Sequence, residues 1–294
     1  MSRNNPLTFG GALREGRAML KAAGKSDYAL EAALLLEHAA GLTRAERILR
    51  ENEPLPAQAD TIYQRFLSER ENGRPLQYIL GEWEFMGLPF FVGEGVLIPR
   101  DDTEILVESI LEKQNSCGTL LDIGTGSGCI PVALGKYGTF DNLLAVDISP
   151  AALTYAEKNA QRNGVEITFY ESDLFSALPE EWKGRLDAVI SNPPYIRRKE
   201  IPTLMQEVRE FEPWSALDGG ADGLDFYRRI IQESRKWLRP GGWLFFEIGY
   251  DQGKDLLRLM KDGGFIQVEI RKDLAGLDRV VFGRKTETEL ESNV

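Results

Sequence analysis

Histidine is nearly missing from this chain of 294 residues: His38 is the only one. A single histidine rules out His-based triads, histidine-rich metal sites and most histidine acid–base relays. Cysteine is almost as scarce. Cys117 and Cys129 form no Cys-x-x-Cys pair, which speaks against a disulfide framework or a zinc site and for a reducing compartment. No apolar run approaches the ~18–20 residues needed to cross a bilayer, and the opening MSRNNPLTFG holds no apolar signal core. A cytoplasmic protein with no membrane partner is expected. Basic charge is short as well: 35 Lys and Arg face 46 Asp and Glu, a formal net charge of -11. Gripping nucleic acid through its phosphates needs a Lys/Arg surface. Direct nucleic-acid binding is therefore not expected, although a local basic patch is compatible with the total.

What is present suits a large domain with a smaller companion, at a length that buries a sizeable core. Residues from about 8 to 72 read as helical. Leu13, Met19 and Leu20 recur at helical spacing, and Ser26-Asp27 can cap a helix carrying Leu30, Leu34, Leu35 and Leu36. Further helical stretches follow Thr43 and run through Ile62, Phe66 and Leu67, divided by Pro54 and Pro56. From Tyr78 to Ile98 the texture turns to glycine, proline and aromatics, which suggests a β-hairpin linker. The expected plan is a helical domain over 1–77, the hairpin linker over 78–98, a catalytic domain over 99–285 and a flexible tail over 286–294.

Beyond Pro99, strand-like and helix-like segments alternate. Strand candidates are Leu120–Ile123, Leu143–Asp147, Ile167–Tyr170, Ala188–Ser191, Trp243–Ile248, Gln267–Ile270 and Val280–Gly283. The first four alternate with helices, as a doubly wound, mostly parallel sheet of the α/β class requires. The last two are separated by a short loop, which fits an antiparallel hairpin at one edge.

Within this region, Leu121–Ile130 is an apolar strand running into a glycine-rich turn and a helix. Glycine lets the backbone take positive φ and approach a ligand with no Cβ between them. A dinucleotide fingerprint would place glycine at position 129, where Cys129 stands. The pattern Gly124-x-Gly126-x-Gly128, with Thr125 and Ser127 between, is the commoner form in methyltransferases. Asp147 ends the next strand and can accept the hydrogens of both ribose hydroxyls. Asp173, after the third strand, is placed to reach an adenine amino group, with Leu174 against the ring. A nucleoside cofactor is expected.

The deciding motif is Asn192-Pro193-Pro194-Tyr195, just after the fourth strand, where open α/β sheets bind ligands. An amide nitrogen is a poor nucleophile because its lone pair is delocalised; the ~18–20 kcal/mol barrier to amide rotation measures how strongly. The side-chain carbonyl of Asn192 and the main-chain carbonyl of Pro193 offer two acceptors for the two N–H groups of such an amide. Those bonds strengthen as positive charge develops on nitrogen. Tyr195 can stack on the planar group. Asn192, Pro193 and Tyr195 are the catalytic candidates, and Asn192–Tyr195 the acceptor-binding loop. This chemistry needs no histidine. The same loop also fits methylation of an exocyclic amino group of adenine or cytosine.

These motifs, taken together, resemble the peptide chain release factor N5-glutamine methyltransferases. The likeness extends to Arg74–Gly81, Trp83-Glu84-Phe85, Val96–Arg100, Thr103-Glu104, Asp147-Ile148-Ser149, Ser172–Phe175, Leu217–Gly220 and Glu247-Ile248-Gly249. It covers residues from about 74 to 284 well and the helical region more weakly. The resemblance implies a Rossmann-like methyltransferase fold, S-adenosylmethionine as cofactor and a release factor as partner. By the same resemblance, Gly124–Gly128, Asp147, Leu174 and Asn192 contact the cofactor. The glutamine of the factor's Gly-Gly-Gln tip is then the acceptor, and the N-terminal helices help to recognise the factor. A monomer is expected. One departure is Asp101, where the family usually has proline, which leaves the shape of residues 99–104 open. Two other readings compete: an adenine amino methyltransferase acting on DNA or RNA, and a binding module that keeps the fold without the chemistry. His38 reads as structural, Arg197-Arg198-Lys199 as a solvated loop, and Cys129 as a small hydrophobe.

Overall fold

The computed structural model describes residues 7–114 and 117–287. It divides into two compact units, one running to Gly81 and including Met205–Phe211, the other comprising Glu82–Leu204 and the chain from Glu212 onward.

The first unit is helical: α1 (Phe9–Ala22), α2 (Tyr28–Ala40), α3 (Arg44–Leu49), α4 (Ala57–Glu71) and α5 (Leu76–Leu80). Thr8 caps α1 by accepting from the Gly11 amide, and Thr43 and Glu46 form a reciprocal capping box at α3. Asp27 takes the N-cap position of α2 without a side-chain cap bond. The core gathers Phe9, Leu13, Leu20, Leu35, Leu36, Tyr63 and Leu67. His38 lies against the Phe66 ring, 5.5 Å between centroids. A buried charge cluster adds a tie. Arg70 donates to both carboxylate oxygens of Glu31 (2.8 and 2.9 Å) and to Glu207 (2.6 Å) from the short helix at residues 206–211.

Helix α5 corrects the expected start of the hairpin linker at Tyr78. Pro75 precedes the helix and Gly81, in the left-handed region, ends it. A five-residue helix is too short to show a 3.6-residue period, so its proline and glycine read as loop. The hairpin, β1 (Glu82–Phe85) with β2 (Leu88–Phe91), follows and belongs to the second unit. Phe85, Leu88 and Phe90 enter that unit's core, and Asn159 accepts from the amide of Phe91 and donates to its carbonyl.

After the hairpin come α6 (Glu104–Lys113), β3 (Thr119–Ile123), α7 (Cys129–Tyr137), β4 (Asn142–Asp147), α8 (Pro150–Asn163), β5 (Thr168–Glu171) and β6 (Leu186–Ser191). The chain continues through α9 (Gln206–Phe211), α10 (Asp225–Trp237), β7 (Leu238–Glu247), α11 (Gly253–Asp262), β8 (Phe265–Lys272) and β9 (Asp278–Lys285). The seven strands form one Rossmann-like sheet in the order β5-β4-β3-β6-β7-β9-β8, parallel through β7, with β9 antiparallel to both its neighbours. The expected doubly wound sheet and its antiparallel edge are both present. Side chains alternate between the faces with period 2. Leu121, Val189, Leu244 and Phe246 pack with α10 and α11, while Leu120, Ala188, Ile190 and Phe245 pack with α6 and α7. Strand β7 begins at Leu238 rather than Trp243: Leu238 already pairs with Leu186, and the chain then bends at Gly241, φ +73°, where its register against β6 shifts. The tail expected from 286 lies outside the described residues from 288 on.

Candidate active site

The connection from β5 to β6 carries the chain across β4 and β3, so the strand order reverses beside β3, the place where open parallel sheets bind ligands. The register puts the ends of four neighbouring strands level. Ile123 pairs with Val146 and Ser191, and Asp147 with Glu171. The residues that follow each strand therefore share one rim: Gly124 after β3, Ile148 after β4, Ser172 after β5 and Asn192 after β6. The Ser191 hydroxyl donates to the Ile123 carbonyl at 2.8 Å and ties the acceptor strand to the glycine turn.

In that turn, the amides of Gly124 and Thr125 both donate to the Val146 carbonyl, at 2.9 and 3.0 Å. Gly124 and Gly126 have φ of +70° and +56°, and a Cβ on Gly124 would meet nothing within 4 Å. Their backbone faces open space. Gly128 is different. A Cβ there would come to 3.0 Å from the Ala156 Cβ, and the residue does not line the cavity. It serves the packing of α7 on α8 rather than touching a ligand directly.

These elements line a cavity of about 790 Å³, with Val96, Ile98, Gly124–Ser127, Asp147, Ile148, Asp173, Leu174 and Asn192–Pro194 among its walls. That size suits a small-molecule site. The Asp147 carboxylate accepts from the amides of Gly126 (2.8 Å) and Ser149 (2.9 Å) and keeps unused lone pairs. Burial pushes its pKa up, and those amides oppose the shift. The Asp173 carboxylate pairs with Arg229 at 2.8 Å. Leu174 has φ +54°, in a turn held by the Ser172 hydroxyl, which donates to its carbonyl. Open glycine backbone, a carboxylate at the end of β4 and an apolar wall after β5 fit a nucleoside with an amino-acid tail.

On the acceptor side, the Asn192 side-chain NH2 donates to the Thr103 hydroxyl at 3.3 Å, leaving the amide oxygen as the free acceptor. Pro193 is buried. Tyr195 corrects the expectation of stacking: its side chain does not line the cavity but packs against the core, with its hydroxyl 3.5 Å from the Glu247 carboxylate. Its carbonyl accepts from Gln252 at 3.1 Å. A Cβ on Gly219 would lie 2.7 Å from the Tyr195 Cα, so only glycine lets this segment pass so close to the acceptor loop.

Two sequence profiles match the chain, the PrmC N-terminal domain over residues 11–81 and the Methyltransferase small domain over residues 100–210. A release factor glutamine methyltransferase from Geobacter sulfurreducens is 42% identical over 268 residues, covering 91% of this chain and 93% of that protein. The chain belongs to the release factor glutamine methyltransferases. A second such relative, from Moorella thermoacetica, is 43% identical over 290 residues, 96% of this chain and 100% of that protein. A methyltransferase structure from Pyrococcus furiosus shares the fold at TM-score 0.51 and 18% identity, covering 69% of this chain and 91% of that one.

Within this member of the family, the loop at 99–104 is settled by a 3-10 turn, Asp101–Thr103, that leads into α6. Asp101 occupies its first position, where proline and an acid are both favourable, the acid because it faces unpaired amides. Arg197 pairs with Asp251 at 2.8 Å and Arg198 with Asp218 at 2.9 Å, so neither is a free basic patch. Cys129 is buried at the start of α7, its thiol pushed up to about 12 by burial.

Three groups escaped the sequence reading of the site. Asp122 is buried in β3 beneath the glycine turn, and neither carboxylate oxygen has a hydrogen bond of ordinary geometry. Burial pushes it up to about 7, with the nearby Thr125 hydroxyl pulling the other way. A lone acid inside the apolar run Thr119–Ile123 was the available signal. The other two, Thr103 and Glu247, are bonded to each other at 2.6 Å across 144 positions of sequence. Nothing local marks that pair.

Proposed function

We propose that this enzyme transfers a methyl group from S-adenosylmethionine to N5 of the glutamine in the Gly-Gly-Gln tip of a peptide chain release factor. One observation carries the reading: the loop Asn192–Pro194 and the rim made by Gly124–Ser127 and Asp147 line a single cavity. When bound, S-adenosylmethionine supplies a sulfonium-activated methyl group. Gly124–Gly126 would hold it by backbone contact, Asp147 by the ribose hydroxyls, and Asp173 with Leu174 at the adenine. Gly128 supports that turn from behind.

The chain's own contribution is positioning and electrostatic complementarity. Asn192 accepts one N–H of the glutamine amide through its side-chain oxygen, and Pro193 accepts the other through a carbonyl held by the ring's fixed φ. Both bonds tighten as nitrogen gains positive charge, so they favour the transition state over the bound glutamine. Tyr195 acts from behind the loop, through its carbonyl on Gln252 and its packing against the core. The helical domain over 1–77 serves recognition of the factor, and the protein works as a cytoplasmic monomer. Nucleic acid is the poorer fit. At the cavity, Arg198, Arg228 and Arg229 are each paired with an aspartate, which leaves little charge for phosphates.

The test is transfer of labelled methyl to unmethylated release factor and to a factor whose tip glutamine is replaced by glutamate. Label on the first alone is expected. Equal labelling of both would move the acceptor elsewhere.

A further inference from the structure

Asn192 can act as described only if its side-chain amide stands one way round, oxygen toward the acceptor. A primary amide turned by 180° fits the same space but presents two donors where an acceptor is needed. Its own position in the loop does not decide the orientation. The hydrogen-bond chain behind it does. Glu247, at the end of β7, is buried, and its Oε2 accepts from the Thr103 hydroxyl at 2.6 Å. A hydroxyl has one hydrogen. With that hydrogen committed to the carboxylate, the Thr103 oxygen toward Asn192 is an acceptor, and it takes the Asn192 NH2 at 3.3 Å.

We propose that Glu247 is a positioning residue for the transfer: through the Thr103 hydroxyl it sets the orientation of the Asn192 side-chain amide. The proposal rests on Asn192 being the acceptor-binding group. Glu247 is itself fixed. Its carbonyl accepts from the Tyr227 hydroxyl at 2.8 Å, its backbone pairs with Val280, and its second carboxylate oxygen faces the Tyr195 hydroxyl at 3.5 Å. The single carboxylate therefore reaches Asn192 through Thr103 and Tyr195 directly. Three buried or half-buried groups from α6's leading turn, β7 and the acceptor loop share one direction of donation.

The chain of polarity can be reversed without changing shape. In Glu247→Gln the carboxamide can donate to the Thr103 oxygen. The hydroxyl then turns to donate to Asn192, which favours the flipped amide. Thr103→Val keeps the bulk and removes the link, whereas Thr103→Ser keeps the hydroxyl. The expected result is a kcat reduced about 100-fold in E247Q and T103V, the scale of a misplaced reacting group. KM for the release factor and affinity for S-adenosylmethionine should change far less than kcat, because the Asn192 bond strengthens as the nitrogen gains charge and so counts most in the transition state. T103S should retain most of the rate. Melting temperatures identify any variant that loses its fold.

A second readout needs no acceptor. The Asn192 side-chain NH2 resonances, assigned by their loss in Asn192→Asp, should shift in E247Q and T103V and stay in place in T103S. Unshifted resonances in E247Q overturn the proposal even where the release factor is methylated. So does a T103S variant as slow as T103V. Shifted resonances in an enzyme that never methylates a release factor uphold the orientation role and overturn only the substrate reading.

Discussion

The carboxylate of Asp147, at the end of β4, accepts the Gly126 amide hydrogen at 2.8 Å and so closes the glycine turn onto the neighbouring strand. Its second oxygen takes the Ser149 amide, at the start of α8. One side chain thus shapes the turn and lines the cavity.

Asp147→Ala removes a buried charged acceptor from the cavity wall. Hydrogen bonds to charged groups contribute about 1.5–3 kcal/mol each. Affinity for S-adenosylmethionine should fall at least about tenfold, measured by titration calorimetry. An unchanged affinity would remove Asp147 from the cofactor site.

Asn192→Ala separates the two halves of the cavity. Transfer should fall below detection while calorimetric affinity for S-adenosylmethionine stays within a few-fold. Near-normal turnover in this variant would refute the acceptor assignment.

Two alanine substitutions in the glycine turn should fail for different reasons. At Gly124 the added Cβ meets open space but φ is +70°, so stability should drop by about 1–2 kcal/mol while cofactor affinity suffers most. At Gly128 the same strain at φ +77° is joined by contact with Ala156, at 3.0 Å to its Cβ and 3.1 Å to its Cα. Gly128→Ala should therefore be the less stable of the two by urea denaturation. The opposite order would show that the contact with Ala156 does not limit what position 128 can hold.

Asp122 should make the stability of the protein depend on pH. Its folded pKa is raised to about 7 from 3.8, so the unfolded chain gives up the proton first as pH rises. Stability is then fully present below the unfolded value and declines as pH rises toward about 7. In Asp122→Asn the decline in melting temperature between pH 5 and pH 8 should be smaller than in the wild type. An identical decline in both would show that Asp122 is not the titrating group.

Arg70→Ala leaves Glu31 buried without its partner in the helical unit. Losing one member of a buried ion pair costs about 3–5 kcal/mol. Chemical denaturation should show an early transition in that unit, and Arg70→Lys, which cannot fork across both oxygens, should lie between.

How far these features were legible follows from their range in sequence. The sheet was readable because strands buried on both faces are apolar runs ended by glycine turns, as in Thr119–Ile123, and because each motif directly follows its strand. Side-chain direction was not readable. Tyr195 points into the core rather than the cavity because Glu247 and the α10 side of the sheet receive it, and those lie far along the chain. Helix α9 was unreadable for a similar reason. Six residues carry no clear period, and its anchor, Arg70, lies 137 positions away from Glu207. Capping was only half legible: the stretch after Thr43 read as helical, and its capping box is present, whereas Asp27 holds the N-cap position of α2 without a side-chain bond.

The most direct measurement is to incubate the protein with S-adenosylmethionine, unmethylated release factor and bulk RNA and DNA together, then locate the added methyl by mass spectrometry of peptides and nucleosides. The account predicts a single methyl on the side-chain nitrogen of the Gly-Gly-Gln glutamine. A methyl on adenine, with that peptide unmodified, would contradict it.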